Sequence, residues 1–458
     1  MRCSSEPRRH AGLDRIASVS SRVLSAVSGI ALASAVLAVT GSPGAHAQTD
    51  PSFDRFVVVQ PIKVCDDAGN NCAVVNTFHA GTAKALGQAN VLPIFLPTSQ
   101  FNNTALRDAN EGPGSFVPQN GGSSDLRVIN MWFTGRDSIK KCGGDPGSII
   151  GCADIPFLIV PAREIVIDAQ LAIHFLGFSP YSNAIAHEMG HNFGLEHVDR
   201  ANTSNLMAPE VDSRFYDEIG VTRNLLNADQ IEEIRNNGFF EFELVREASN
   251  FNGGPGIDVV SVLAGTAFQN IFGNGGNDSI TLNAGSGVLA NVEGGAGSDT
   301  ISVLDGSIVG GNVSGGVEDD TLIIGGKVLR NVLGDEGSDT IIVLSTAQIV
   351  RGVDGGSGDD TIEIAGAVTA DLPIGPLPSP FAVATVPSPT QVMGGIGADT
   401  ILLKSGANVM GSVFGDNKNV DETGHGNDLI IMTGGEVAGN IHGEGGNDTI
   451  IISGGVVR

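Results

Sequence analysis

The chain has 458 residues, a formal net charge of −26 at pH 7 and 64 glycines. This length exceeds that of one ordinary domain and predicts two or three. Residues 253–458 hold 24 acidic but only 6 basic side chains, together with 43 of the glycines. A surface this acidic repels phosphates and attracts cations, so nucleic acid is excluded as a partner.

Residues 1–47 have the pattern of a signal peptide. Several arginines precede an apolar run at 23–40, and the small-x-small tripeptide at 45–47 is typical of a cleavage site. No later apolar run approaches the roughly 20 residues that a membrane-spanning helix needs. We therefore expect a mature chain without a membrane span that is secreted to the extracellular space, the periplasm or the cell surface.

Four cysteines follow this segment, and they are close neighbours in pairs. Cys65 and Cys72 form one pair, and Cys142 and Cys152 form the other. An even number of cysteines in an exported chain favours disulfides, so we predict the bonds 65–72 and 142–152. Loops this short predict a structural role at the surface.

Residues 48–250 have the pattern of a mixed α/β domain. The apolar runs predict strands at 56–64, 91–97, 125–133 and 155–161. Helical patterns occur at 76–90, 182–195 and 226–237, the last with Asn227 as its N-cap.

Three histidines occur in the sequence AHEMGHNFGLEH, residues 186–197. On a helix, His187 and His191 lie one turn apart on the same face and can supply two of the three protein ligands of a catalytic zinc ion. Gly194 can adopt the left-handed conformation that ends a helix. The chain can then turn back, and His197 becomes the predicted third ligand.

Glu188 follows the first predicted ligand, where a carboxylate can take a proton from water and pass it to a leaving amine. The full pattern HExxHxxGxxH, with Met207 ten residues beyond His197, resembles the metzincin clan of zinc endopeptidases. The resemblance covers roughly residues 50–250. It implies an α/β metzincin catalytic domain, Zn²⁺ as cofactor, a protein or peptide substrate, and a methionine turn whose thioether lies under the histidines.

The metzincin subfamily stays open at this point. The motif is similar to that of the reprolysins, which place aspartate directly after the third histidine, whereas Val198 occupies that position here. Astacins and serralysins carry a tyrosine two residues after the methionine, whereas this chain has Pro209. The pappalysin-like bacterial secreted proteases are a further alternative.

From residue 253 a glycine-and-aspartate motif recurs, mostly every 19 to 21 residues, and a short β-prone run follows most copies. This repeat predicts an all-β parallel β-solenoid, a β-roll or β-helix, over residues 251–458, with two strands and two turns in each coil. One spacing is 39 residues and contains six prolines within 371–390. Proline cannot continue a β-ladder, so this segment is predicted to be a loop inserted into one coil.

The motif GGxGxD provides turn glycines, backbone carbonyls and a carboxylate, which are the hard oxygen ligands that calcium prefers. It resembles the haemolysin-type (RTX) calcium-binding repeat. Four copies match it completely, and their aspartates are the predicted Ca²⁺ ligands: Asp258, Asp299, Asp360 and Asp399. The other copies depart from the motif, and a metal-free solenoid whose aspartates cap turns is the alternative.

These features together predict an exported zinc endopeptidase that carries a calcium-binding repeat domain. The alternative is a surface adhesion or matrix-binding solenoid with a vestigial protease domain. In that case the solenoid would contact the cell surface or the matrix.

Overall fold

The structure is a computed structural model in which the chain forms two units, Met1–Thr49 and Asp50–Arg458. It describes residues 53–75, 79–108, 122–134, 151–153, 164–168, 181–198, 205–207, 225–236, 244–369, 391–416 and 425–458. These residues do not include the predicted signal peptide, Cys142 of the predicted 142–152 disulfide, the strand predicted at 155–161 or the proline-rich segment at 371–390. The predicted disulfide between Cys65 and Cys72 is confirmed.

The N-terminal part is a mixed sheet with few helices. Its strands are β1 (Arg55–Cys65), β2 (Val91–Phe95), β3 (Ser99–Asn102), β4 (Val128–Thr134), β5 (Gly151–Ala153), β6 (Glu164–Asp168) and β7 (Val245–Glu247). Its helices are α1 (His79–Leu86), α2 (Thr104–Asp108), α3 (Tyr181–Asn192) and α4 (Ala228–Asn236), and a 3₁₀ turn at Gly87–Ala89 follows α1.

The sheet order is β2-β1-β4-β6-β5, and β3 and β7 also pair with β1. Strand β1 is parallel to β2, β3 and β4, and β4 is parallel to β6. Strands β7 and β5 are antiparallel to β1 and β6, respectively. The predicted helix at 76–90 becomes α1 and the 3₁₀ turn, and Asn227 caps α4 by accepting a hydrogen bond from the backbone N–H of Gln230 at 2.9 Å.

The burial of both faces of strand β1 explains why its sequence is a continuous apolar run rather than an alternating one. Val57 and Val59 point into a core that contains the inner faces of α1 and α3. Phe56 and Val58 point to the opposite face of the sheet, into a second core. Successive side chains of a strand alternate between faces, so a strand that is covered on both sides is apolar throughout.

Residues 251–458 form the predicted β-solenoid, built from three parallel sheets of nine strands each. Sheet 1 contains Val259–Val262, Ser279–Leu282, Thr300–Val303, Thr321–Ile324, Thr340–Val343, Thr361–Ile364, Thr400–Leu403, Leu429–Met432 and Thr449–Ile452. Sheet 2 contains Ala267–Phe268, Gly287–Val288, Ile308–Val309, Lys327–Val328, Gln348–Ile349, Ala367–Val368, Asn408–Val409, Glu436–Val437 and Val456–Val457. Sheet 3 contains Phe251–Asn252, Ile271–Gly275, Val292–Ala296, Val313–Val317, Val332–Glu336, Gly352–Ser357, Gln391–Ile396, Ser412–Asp416 and Ile441–His442.

The prediction of two strands per coil is therefore wrong, because each coil has three. The segment DGSIVGGNVSGG (305–316), for example, contains the two-residue strand Ile308–Val309 and the start of Val313–Val317. A bend separates them, and in it the backbone N–H of Asn312 donates to Oδ1 of Asn291 at 3.0 Å. This side-chain bond lets the chain change direction without leaving a buried amide unpaired.

The irregular repeat spacings come from insertions that leave the coils in register. The 39-residue gap falls between the neighbouring strands Gly352–Ser357 and Gln391–Ile396 of sheet 3. The 29-residue gap contains residues 417–424, which are outside the described ranges, and Thr400–Leu403 still pairs directly with Leu429–Met432 in sheet 1. The stack is thus continuous through all nine coils.

The solenoid shares a hydrophobic core with the N-terminal sheet. Leu289 and Ile308 of the solenoid are buried in one cluster with Phe53 and Ile94. The side-chain amide of Gln269 also donates to the backbone carbonyl of Phe53 at 2.7 Å. One face of the N-terminal sheet is therefore covered by the first coils and the other by helices. Among the described residues, no helix is long and apolar enough to cross a membrane.

Candidate metal centres

Helix α3 ends where the glycine of the motif requires it to end. The last helical residue is Asn192, three residues earlier than predicted, and Gly194 has a φ of 100°. The backbone N–H of Gly194 donates to the carbonyl of His191, and that of Leu195 donates to the carbonyl of Gly190, each at 3.0 Å. These two bonds form a Schellman motif, which reverses the chain directly after the helix.

This reversal brings three imidazole rings together. The Nε2 atom of His197 lies 3.2 Å from Nε2 of His187 and 3.1 Å from Nε2 of His191. Three nitrogens that bind one tetrahedral zinc ion at about 2.0–2.1 Å lie roughly 3.3 Å apart. The three histidines form the one group of this kind among the described residues that could hold a metal ion.

Backbone carbonyls determine which nitrogen of each helical histidine carries a proton. Nδ1 of His187 lies 2.7 Å from the carbonyl oxygen of Leu206, and Nδ1 of His191 lies 2.8 Å from that of Leu195. A carbonyl only accepts, so both Nδ1 atoms must donate, and both Nε2 atoms then present lone pairs. Nε2 of a neutral His197 carries at most one proton, which it would have to share between the Nε2 lone pairs of His187 and His191. A bound cation would therefore satisfy the three nitrogens better than hydrogen bonds alone.

The charge state of His191 also suits a ligand. Burial lowers the pKa of His191 to about 4, a hydrogen bond to the Leu195 carbonyl opposes this shift, and the charge of His197 adds to it. The ring is therefore neutral at pH 7, which is the form that binds metal ions.

Met207 lies directly beneath the histidine-bearing helix. It is fully buried in the same core as Met189. A Cβ added to Gly190 would lie 2.5 Å from the sulfur of Met207, so only glycine at this position lets the thioether approach the helix. The absence of a side chain at Gly190 therefore lets the sulfur of Met207 lie close to the helix that carries His187 and His191.

Glu188, the predicted general base, lies on α3 immediately after His187 and is 8% exposed. A buried carboxylate next to a predicted metal ligand is in the kind of environment in which general bases work. Glu196, in contrast, is exposed and lies between Leu195 and His197. It differs from Glu188 in burial although both belong to the motif.

The aspartates of the repeat form a ladder along one corner of the solenoid. From the second coil onward, Oδ1 of each aspartate accepts the backbone N–H of the equivalent aspartate in the preceding coil, as Asp360 does from Asp339 at 2.7 Å and Asp399 does from Asp360 at 2.8 Å. The carboxylates are almost fully buried: Asp278, Asp299, Asp320, Asp339, Asp360, Asp399 and Asp428. Asp258, in the first coil, is only half-buried, and its Oδ2 accepts from the backbone N–H of Gly254 at 2.6 Å.

The second carboxylate oxygen has no hydrogen-bond partner in any of the seven buried aspartates. In the coil of Asp360, a Cβ on Gly355 would clash with both Oδ2 of Asp360 and the carbonyl oxygen of Gly394. A carboxylate oxygen of one coil and a carbonyl oxygen of the next therefore converge on space that only glycine leaves open. Unpaired buried oxygens of this kind are compatible with a bound cation.

The protonation of these aspartates reflects their burial. Burial, with repulsion between neighbouring carboxylates, raises the pKa of Asp360 to about 8 and those of Asp320 and Asp399 to about 7. The same causes raise the pKa values of Asp339 and Asp428 to about 6. A column of buried carboxyls thus holds either protons or a compensating cation near neutral pH.

Requiring a complete motif missed members of this ladder. Asp278, Asp320, Asp339 and Asp428 end incomplete motifs, yet each is buried and bonded in the same way as the aspartates of complete ones. The motif TGHGND shows why. The glycine that faces Asp428 is Gly415, which lies on the other side of the insertion at 417–424. The sequence signal that could have found them is the apolar residue two positions after each aspartate, which is buried in every case: Ile280, Leu322, Ile341 and Ile430.

Comparison with known proteins adds no assignment. No protein-family model matches the chain, and no curated protein shows significant similarity to it. The functional argument therefore depends on the histidine group, the aspartate ladder and the sequence motifs.

Proposed function

We propose that this protein is an exported zinc-dependent endopeptidase of the metzincin type, with a calcium-binding RTX-like solenoid. The observation that carries the proposal is the convergence of three Nε2 atoms. Nε2 of His197 lies 3.2 Å from Nε2 of His187 and 3.1 Å from Nε2 of His191. Gly194 and Met207 occupy the positions that the metzincin pattern requires. The predicted signal peptide and the disulfide of Cys65 support export.

The three histidines would hold the zinc ion through Nε2. When bound, zinc supplies Lewis-acid polarisation of the scissile carbonyl and lowers the pKa of a water molecule. Glu188 takes the proton from the attacking water and passes it to the leaving amine nitrogen. The carbonyl of Leu206 keeps the ring of His187 in the orientation and tautomer that bind metal.

Metal analysis of the purified mature protein combined with a peptide library tests this proposal. We expect one zinc ion per chain and cleavage of library peptides, which a chelator abolishes and added zinc restores. Protein that carries a full complement of zinc and cleaves nothing in a broad library would contradict the proposal. It would favour a solenoid that acts in adhesion.

The aspartate ladder is the proposed calcium site. In each coil with a buried aspartate, an unpaired carboxylate oxygen lies near a backbone carbonyl oxygen of the next coil. Calcium binds six to eight such oxygens. The buried aspartates of complete motifs, Asp299, Asp360 and Asp399, match those of the incomplete motifs, whereas the predicted ligand Asp258 is half-buried and its Oδ2 is paired with the backbone N–H of Gly254. The proposal therefore extends beyond Asp299, Asp360 and Asp399 to their buried neighbours in the ladder.

Without metal ions, the solenoid is expected to lose stability as the pH rises from about 4 to about 8. The pKa of Asp360 is about 8 in the folded chain and near 3.8 in the unfolded chain, so the folded chain binds more protons across this range. Circular dichroism of metal-free protein should show a melting temperature several degrees lower at pH 8 than at pH 5. Added calcium should raise the melting temperature more at pH 8.

Two asparagine variants provide the control for this prediction. Asp360→Asn removes a buried carboxyl and should raise the melting temperature of the metal-free protein at pH 8. Asp359→Asn, at the exposed neighbouring position, should change it little. A melting temperature that is independent of pH in the metal-free protein would show that the ladder carries no uncompensated charge.

A further inference from the structure

The segment Asn205–Leu206–Met207 contacts the histidine group in two places. The carbonyl of Leu206 accepts the hydrogen bond from His187. The carbonyl of Met207 accepts the backbone N–H of Val198, the residue that follows His197, at 3.0 Å. Any group that determines the position of this short segment therefore also determines the position of two of the three proposed zinc ligands.

Helix α4 supplies such a group in Gln230. The side-chain amide of Asn205 donates to Oε1 of Gln230 at 2.8 Å, and the amide of Gln230 donates back to Oδ1 of Asn205 at 3.2 Å. Both side chains are buried. Oδ1 of Asn205 also accepts the backbone N–H of Met207 at 2.8 Å, so the amide pair is bonded directly to the turn that carries the methionine.

We propose that Gln230 is a positioning residue for the histidine metal site, acting through Asn205 and the backbone of Leu206. The inference depends on the metal site of the proposed function but not on proteolysis. Groups that orient metal ligands without touching the metal typically change its affinity by about 10–100-fold when they are replaced. A closed pair of buried amides is suited to this role because neither side chain can move without leaving a buried polar atom unpaired.

The competing explanation is that Gln230 only caps its own helix. Its Oε1 accepts the backbone N–H of Asn227 at 3.0 Å, and its own backbone N–H donates to Oδ1 of Asn227. This is a capping box, in which glutamate serves as well as glutamine. Gln230→Glu therefore keeps the cap but replaces the donor that faces Oδ1 of Asn205 with an oxygen. Asn205 cannot rotate its amide to compensate without withdrawing Oδ1 from Met207.

The test measures zinc affinity of the full chain by competition with a chromophoric chelator, together with the visible spectrum of the cobalt-substituted protein. We expect Gln230→Glu to bind zinc about 10–100-fold more weakly than the wild type and to have an altered cobalt spectrum. Glu232→Gln, at an exposed position on the same helix, should match the wild type in both. Asn205→Asp breaks the same amide pair without altering the helix cap and should also weaken zinc binding.

The outcomes separate this inference from the proposed function. A wild-type chain that binds no zinc would overturn the metal site and the role of Gln230 together. If the wild type binds zinc and both Gln230→Glu and Asn205→Asp bind it within twofold as tightly, with unchanged cobalt spectra, Gln230 is only a capping residue. If Gln230→Glu fails to fold, the affinity of Asn205→Asp alone decides between these two results.

Discussion

Glu188→Gln is expected to lower the rate of peptide hydrolysis by about 10²–10⁴-fold, the range that a general base contributes. The zinc content should stay the same, because the three proposed zinc ligands are histidines and Glu188 is not among them. Glutamine has nearly the size and shape of glutamate, so the fold should persist. Initial rates on a fluorogenic peptide, with metal analysis of the same sample, measure both quantities.

Glu196→Gln is the matched control for this substitution. Glu196 belongs to the same motif but is exposed, and its replacement should leave the rate within a few-fold of the wild type. If Glu188→Gln retained full activity, the proton would have to be carried by another group. Equal losses in both variants would indicate a general effect of removing negative charge near the histidines.

Removal of the whole solenoid is expected to unfold or aggregate the N-terminal domain. A chain that ends at residue 250 exposes Phe53 and Ile94, which Leu289 and Ile308 of the solenoid cover. Exposing two such side chains costs about 3–6 kcal/mol, against a total stability of about 5–15 kcal/mol for a typical protein. Thermal unfolding and zinc content of the truncated chain measure the effect.

A chain that ends at Thr369 is the control for this truncation. It keeps the first six coils, including Leu289 and Ile308, and should retain zinc and a melting temperature close to that of the full chain. If the chain that ends at residue 250 bound zinc and melted like the full chain, the shared core would be dispensable. Loss of activity in the shorter chain alone does not show that the solenoid acts on substrates.

Local chemistry made several features predictable from the sequence. Periodicity located β1 and α4, and Asn227 was recognisable as a cap because its side chain bonds within one turn. The histidine spacing and Gly194 predicted the chain reversal because a left-handed glycine can follow a helix of any sequence. The repeat spacing predicted the parallel solenoid.

Other features could not be predicted because they depend on groups far apart in the chain. The number of strands per coil depends on where each coil bends, and the bends are set by side-chain bonds between coils such as that of Asn312 to Asn291. The glycine that faces Asp428 is on the other side of an insertion, so no local motif could identify Gly415.

By itself, the sequence determined that three histidines can meet at the end of one helix and that residues 251–458 form stacked coils. Those outcomes need only the helical repeat, a positive φ at one glycine and a 20-residue period. The tertiary structure alone decided that the aspartates of incomplete motifs are buried, that the first coils cover the N-terminal sheet, and that Gln230 meets Asn205 behind the histidines. The physical reason is that burial and polar pairing depend on which surfaces are packed together, and segments far apart in the chain supply those surfaces.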